Sequence, residues 1–154
     1  MRIVICLSVE DDLAIVEATA RLTPLKGAAV ELLHVADVTD EHELKSSLRP
    51  GLVRPRVAEA QLRASQRARA SLEDVRRRAK ALLENFGVEE VTASVRQGRP
   101  EREIVAHLHE RDADLCVIAR RPNWFETRDA GPKSIGHVAR FAADHARCAV
   151  LLLR

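Results

Sequence analysis

Apolar runs of strand length alternate with segments of helical periodicity along the whole of this 154-residue chain. Three runs are apolar throughout, namely Ile3 to Leu7, Leu115 to Ala119 and Ala149 to Leu153, and residues 28–38 form a fourth that is nearly so. Strands that are covered on both faces are continuously apolar, and parallel neighbours need crossover segments between them. The pattern therefore predicts an α/β fold, a parallel sheet with helices on both faces.

Turn and helix signals place the remaining elements. Residues 11–22 have apolar positions at helical spacing behind an aspartate, which predicts a first helix. Residues 57–86 contain neither Gly nor Pro, which predicts a long helix that ends at Gly87. Residues 39–56 are polar and include Pro55, so we expect a connection without a long helix there. We also expect an edge strand at 88–97 and helices at 99–112 and 135–146.

Composition limits the classes of function. The length and a hydrophobic content of 46% suit one well-buried domain, which we expect to comprise residues 1–154. A net charge of +2 implies no field strong enough to hold nucleic acid, and no apolar run is long enough to span a membrane. The three cysteines lie in apolar runs without metal-ligand spacing, which favours buried thiols over disulfides. We therefore expect a soluble protein of the reducing cytoplasm.

Three segments carry a resemblance to a known family. They are ELLHV, GRPEREIVAHLHERDADLCVIARRP and IGHVARFAADHARCAVLLLR. Each of them is similar to a stretch of the universal stress protein family, and they occur in the same order as in that family. The resemblance covers the whole chain and implies a five-stranded parallel sheet in the order 3-2-1-4-5. It also implies a homodimer that pairs the last strands, here Cys148 to Leu153. In such a sheet, ligands bind at the crevice where the strand order reverses, between strands 1 and 4.

Nucleotide-binding members of that family share a glycine pattern, in which Gly, two residues, Gly and nine residues precede Gly-Ser or Gly-Thr. Small residues let the backbone approach a triphosphate, and the last pair starts a helix whose N–H groups favour anions. In this chain the first two positions are Ala119 and Pro122, the spacer of residues 123–135 is longer, and the hydroxyl position is His137. Only Gly136 matches, so we expect a degenerate motif.

Other residues could still form a nucleotide or anion site. Ser8 stands at the end of the first strand, where nucleotide-binding relatives usually have Asp, and Val35 either packs against an adenine ring or belongs to the core. The flanking cations are Arg120, Arg121 and Lys133, which with Gly136 and His137 could hold an anion without close backbone approach. The alternative is that these cations only solvate a surface loop.

Trp124 and Phe125 stand side by side in the same polar loop, although only 3% of the residues are aromatic. Such a pair could anchor the loop, cover the crevice or contact a protein partner. All three alternatives remain open from the sequence.

Catalytic and metal chemistry have little support in the sequence. Ser8 has no base beside it, and His107 and His109 point away from each other on one helix, which is poor geometry for a shared metal. His34 on a buried strand is typical of a core histidine. We therefore expect no catalytic residue, no metal and no cofactor. The favoured function is a regulatory or scaffold role in stress response, and ATP binding is the alternative.

Overall fold

The computed structural model describes residues 1–8, 13–37, 54–119 and 136–153. Strands and helices alternate within these ranges, as the sequence pattern predicts. The strands are β1 (Arg2–Leu7), β2 (Ala29–Asp37), β3 (Glu90–Gly98), β4 (Leu115–Ala119) and β5 (Ala149–Leu153). The helices are α1 (Ala14–Leu22), α2 (Arg54–Leu83), α3 (Pro100–Glu110) and α4 (His137–His145).

The five strands form one sheet in the order β3-β2-β1-β4-β5, and every neighbouring pair is parallel. β1 occupies the centre, where Ile3 is in register with Val30 of β2 and with Leu115 of β4. The predicted α/β fold, the strand order 3-2-1-4-5 and the edge position of β3 are confirmed.

Alternate residues of the central strands enter two cores, one on each face of the sheet. Ile5 and Leu32 belong to a core that also includes residues of α1 and α2. Val4 and Leu33 face the other way and join residues of α3 and α4. Since both faces of β1 are covered by helices, the continuous apolar run of this strand follows from its position.

The start of α2 differs from the prediction. The helix begins at Arg54, so the expectation that Pro55 belongs to the connection was wrong. Proline is tolerated in a first helical turn because its missing N–H would have no partner within the helix there. At the other end, a 3-10 turn over Glu84–Phe86 continues the helix, and Gly87 stops it with φ 72° and ψ 29°.

None of the helices in the described ranges is both long enough and apolar enough to cross a membrane.

Candidate functional site

The sheet brings three predicted site residues together at the end where its central strands finish. Leu7 is in register with His34, and Ile118 with Cys6, so the residues that follow lie side by side, level with the carboxyl ends of β1 and β4. Those residues are Ser8, Val35 and Ala119. Val35 packs against the core under α3 and α4. The strand order reverses between β1 and β4, so this edge is where ligands bind in sheets of this type.

The start of α4 supplies two more predicted residues. Gly136 is the N-cap with φ 88° and ψ 153°, a conformation that is essentially restricted to glycine. Within the part of the chain that the structure describes, no heavy atom beyond the neighbouring residues lies within 4 Å of the position that a Cβ would take there. The first N–H groups of a helix have no acceptor within the helix, and helix N-termini are for this reason common anion sites.

A carboxylate accompanies the start of α4. The exposed imidazole of His137 has its Nε2 atom 3.9 Å from Oε1 of Glu101, a residue of the first turn of α3. Negative charge beside the first turn of α4 opposes a phosphate at the same place. The remaining predicted residues, Arg120, Arg121, Lys133, Trp124 and Phe125, lie outside the described residues.

His34 lies on the face of β2 opposite to that of Val35, beside a small cavity. Its Nδ1 lies 3.0 Å from the carbonyl oxygen of Leu7 and donates to it, which agrees with the predicted core histidine. The cavity has a volume of about 10 Å³, and Ser8 and Ser71 are among its lining residues. This space is too small for a nucleotide.

A second polar cluster, which the sequence did not predict, lies between β2, β3 and α3. At its centre is Glu31, which is 5% exposed. Its Oε1 accepts a hydrogen bond from Oγ of Ser94 and lies 3.0 Å from Nε2 of His107. Its Oε2 lies 3.3 Å from Nε of Arg111. Both oxygens of the buried Glu31 carboxylate therefore have polar partners, as a low-dielectric interior requires.

Arg96 closes the cluster from the edge strand β3. Its Nε donates to Glu103 over 2.8 Å, and its NH1 donates to Glu110 over 2.6 Å. The same NH1 lies 3.3 Å from Nδ1 of His107. A guanidinium can only donate, so Nδ1 must accept, and the imidazole proton is therefore on Nε2, beside Glu31.

A cavity of about 370 Å³ adjoins this cluster. It is lined by Ser94, Val95, Arg96, His107, Glu110 and Arg111. One imidazole nitrogen of His107 lies beside Glu31 and the other beside Arg96. The cluster is therefore an ion-pair network under α3.

One signal in the sequence could have revealed this network. Glu31 lies on an otherwise apolar strand, on the face opposite to that of Val30 and Leu32. On β3, Ser94 and Arg96 lie two residues apart and so also share one face. A polar residue at an inward position of a buried strand predicts buried partners. Among the described residues, no group of three or more His, Cys, Asp and Glu side chains could hold a metal ion.

Comparisons with known proteins agree with this architecture. The model of the universal stress protein family matches residues 1–154. The chain belongs to the universal stress protein family. No curated protein matches it at a significant level.

Solved structures of universal stress proteins have the same fold. UspA from Lactobacillus plantarum is 17% identical with a TM-score of 0.72, and the alignment covers 100% of this chain and 97% of that one. A family protein from Arabidopsis thaliana with AMP bound is 16% identical with a TM-score of 0.59, over 99% and 90% of the two chains. The universal stress protein from Archaeoglobus fulgidus in complex with dAMP is 19% identical with a TM-score of 0.59, over 100% and 98%. At these identities the likeness concerns the fold alone.

Proposed function

We propose that this universal stress protein is a regulatory or scaffold protein of the cytoplasm that acts through protein contacts, catalyses no reaction and does not bind ATP at the crevice. The observation that carries the proposal is the start of α4, where His137 follows Gly136 and Glu101 lies beside it. A triphosphate would meet an imidazole in place of a hydroxyl and a carboxylate nearby. Both changes weaken a phosphate site that depends on backbone donors.

The residues before α4 support the same proposal. Ala119 ends β4 with a Cβ where the family pattern has Gly, and Pro122 lacks the N–H that a phosphate would need. With the glycine pattern reduced to Gly136, the aromatic pair Trp124 and Phe125 is our candidate for the surface that meets a protein partner.

We also propose a homodimer that pairs the last strands of two chains. β5 forms an edge of the sheet, and its residues Val150 to Leu153 are apolar and only half-buried. An apolar edge strand presents unpaired backbone groups that a second copy can satisfy.

A second candidate function is the binding of a nucleotide or another small anion. One observation favours it: α4 begins at Gly136 with φ 88°, and none of the described residues beyond its own neighbours comes within 4 Å of the place that a Cβ would take there. The family structures with AMP and dAMP show that the fold can hold a nucleoside monophosphate. Here the phosphate would depend on Arg120, Arg121 and Lys133 together with Gly136 and His137.

Direct nucleotide measurements distinguish the two functions. The purified protein is extracted with acid to detect carried nucleotide, and it is then titrated with ATP and with AMP, with and without magnesium, while Trp124 fluorescence is followed. We expect no released nucleotide and no ATP binding with a Kd below about 100 µM, which corresponds to about −5.5 kcal/mol. Tighter binding would overturn the first proposal and support the second.

A pair of variants locates any binding that is found. Glu101→Gln removes the carboxylate beside α4, whereas Glu89→Gln makes the same change at an exposed site at the other end of the sheet. An anion at the start of α4 should bind more tightly to the first variant only, because one repulsive charge has been removed.

Affinity capture tests the scaffold role itself. The wild type and a Trp124→Ala/Phe125→Ala double variant are used as bait under matched conditions, and the retained proteins are identified by mass spectrometry. We expect at least one partner to be retained by the wild type and lost by the variant. Identical sets of partners would remove the aromatic pair from the proposal.

A further inference from the structure

Positive charge is concentrated on one helix of the protein. Residues 54–83, which form α2, contain nine Lys and Arg residues and three Asp and Glu residues, a net charge of +6. The whole chain of 154 residues carries +2, so the 124 residues outside this 30-residue helix together carry −4. Charge that is separated in this way within one small domain attracts acidic partners to the basic side.

Part of this charge forms a strip along the solvent side of α2. Arg63, Arg67, Arg77 and Arg78 lie at helical positions i, i+4, i+14 and i+15, which place them on one side of the helix. All four residues are exposed. These four residues, which we call the arginine strip, extend over about 22 Å of the helix.

The opposite side of α2 is occupied by the protein's own core. Leu72, Ala79 and Leu83 lie there, with exposures of 6%, 0% and 0%. Apolar packing therefore fixes the helix, and the arginine strip faces solvent at a fixed spacing. A ligand that binds to such a surface does not have to order the backbone beneath it, which lowers the entropic cost of binding.

Two guanidinium groups of the arginine strip are available to a ligand. Arg77 pairs with Asp74, three residues earlier on the same side of the helix. Within the described ranges, no carboxylate forms an ion pair with Arg67 or Arg78. These two residues are separated by about 16 Å along the helix axis. Guanidinium groups match carboxylates in fork geometry, so two separated carboxylates of one ligand could each find a partner.

The composition of α2 argues against a membrane as the ligand. A helix that lies on a membrane buries an apolar face at the lipid boundary. The apolar face of α2 already lies in the core of the protein. Among the described residues of this helix, Leu62 is the only large apolar side chain that is exposed, at 60%.

Carboxylates within the basic surface favour a protein over a nucleic acid. Glu73 and Asp74 lie midway along the helix, between Arg67 and Arg77. A nucleic acid carries regularly spaced phosphates and would bring some of them close to these carboxylates. An extended peptide can place uncharged residues there, because its acidic side chains need not be regularly spaced. We propose that the arginine strip binds an extended acidic segment of a protein partner.

This inference rests on the proposed role in protein contacts and adds the chemistry of the partner. It concerns a different surface from the aromatic pair Trp124 and Phe125, which lies in the loop after β4. The two surfaces can therefore be tested separately, with different variants and different probes.

The test uses a fluorescein-labelled peptide of about ten glutamates, which in extended form is at least as long as the arginine strip. Fluorescence anisotropy measures its binding to the intact protein at low and at physiological salt. The wild type should bind this peptide, and the affinity should fall at least about threefold at physiological salt, because ions screen exposed charges. A peptide of glycine and serine of the same length should not bind.

Two double variants locate the binding. Arg67→Glu/Arg78→Glu reverses two charges of the arginine strip and should weaken binding of the glutamate peptide at least about tenfold. Arg102→Glu/Arg140→Glu makes the same change in net charge at exposed residues of α3 and α4, which cover the other face of the sheet. This control should alter the affinity by less than about twofold, because distant charges are screened. Circular dichroism verifies that both variants are folded.

Three results would overturn the proposal. The first is no binding of the glutamate peptide by the wild type at low salt, and the second is an equal loss of affinity in both double variants. The third is tighter binding of a DNA duplex, or of vesicles that contain anionic phospholipid, than of the peptide at equal ionic strength. Each of them leaves the proposed function standing, because nucleotide titration and the Trp124→Ala/Phe125→Ala variant test that function independently.

Discussion

Glu31 and His107 meet in the interior, where Oε1 of the carboxylate lies 3.0 Å from Nε2 of the imidazole. Burial raises the pKa of Glu31, but its contacts with His107 and Ser94 and the charge of Arg111 outweigh burial and lower that pKa to about 2. The folded state therefore favours the ionised carboxylate. Helix α3 is held on the sheet in part by charge.

The stability of the protein should consequently depend on pH in the acid range. Because the pKa of Glu31 is lower in the folded state than the usual 4.5, its contribution is complete above about pH 5 and is lost as the pH falls towards 2. Glu31→Gln should lower the free energy of unfolding at pH 7 by on the order of 2 kcal/mol, after allowance for screening by solvent from the adjoining cavity. Urea unfolding between pH 7 and pH 2.5 measures both effects.

The difference between the wild type and Glu31→Gln should shrink as the pH falls from 5. Glu89→Gln is the matched control, since it makes the same change at an exposed site. A constant difference across this pH range would show that the variant acts by altered packing and not by loss of the charge.

Substitution by asparagine should affect the stability differently at Gly87 and at Gly136. Gly87 lies in the left-handed helical region, with φ 72° and ψ 29°, whereas Gly136 has φ 88° and ψ 153°. Asparagine tolerates the first conformation but not the second. We expect Gly136→Ala and Gly136→Asn each to cost about 1–3 kcal/mol of unfolding free energy.

At Gly87 the two substitutions should differ in how much they lower the stability. Gly87→Asn should be less destabilising than Gly87→Ala, because asparagine visits the left-handed region more readily. Thermal unfolding of the four variants provides the comparison. Equal losses from alanine and asparagine at Gly87 would refute this conformational explanation.

The core around β2 should be sensitive to loss of volume. Leu32 is 0% exposed, so Leu32→Ala should leave a cavity and cost about 2–5 kcal/mol. Leu62 on α2 is 60% exposed, and Leu62→Ala should change the stability by no more than about 0.5 kcal/mol. Denaturant unfolding of both variants checks the contrast, and similar losses would contradict the assignment of the core.

The proposed dimer makes a prediction for β5. Leu152→Arg places a charge in the apolar edge strand and should yield monomers in sedimentation velocity, because a desolvated charge opposes strand pairing. Leu152→Met keeps the apolar character and should remain dimeric. Circular dichroism of both variants separates loss of the dimer from loss of the fold, and a dimeric, folded Leu152→Arg protein would rule out this interface.

Much of the fold could be predicted because local patterns and topology agree. The apolar runs at Ile3 to Leu7 and Leu115 to Ala119 specify covered parallel strands, and both strands formed as predicted. The first residue of α2 could not be predicted from the sequence, since Pro55 is equally compatible with a connection and with a first helical turn.

The polar interior was harder to predict because it depends on distant partners. Glu31 and His107 are brought together only when α3 packs across β2 and β3, and no local pattern specifies that contact. The same holds for Cys6 and Cys116, whose diagonal approach results from strand register and sheet twist. Sequence spacing alone gave no reason to pair them.

The pairing of β1 with β4 has a consequence for biosynthesis. Ile3 and Leu115 are partners in the centre of the sheet but are separated by most of the chain. At about 5–20 residues per second, a ribosome needs roughly 6–22 seconds to synthesise the intervening segment. During that time one edge of β1, a short strand of apolar side chains, has no partner within its own chain. The nascent protein therefore passes through a stage in which its most central strand is a target for chaperones and for aggregation.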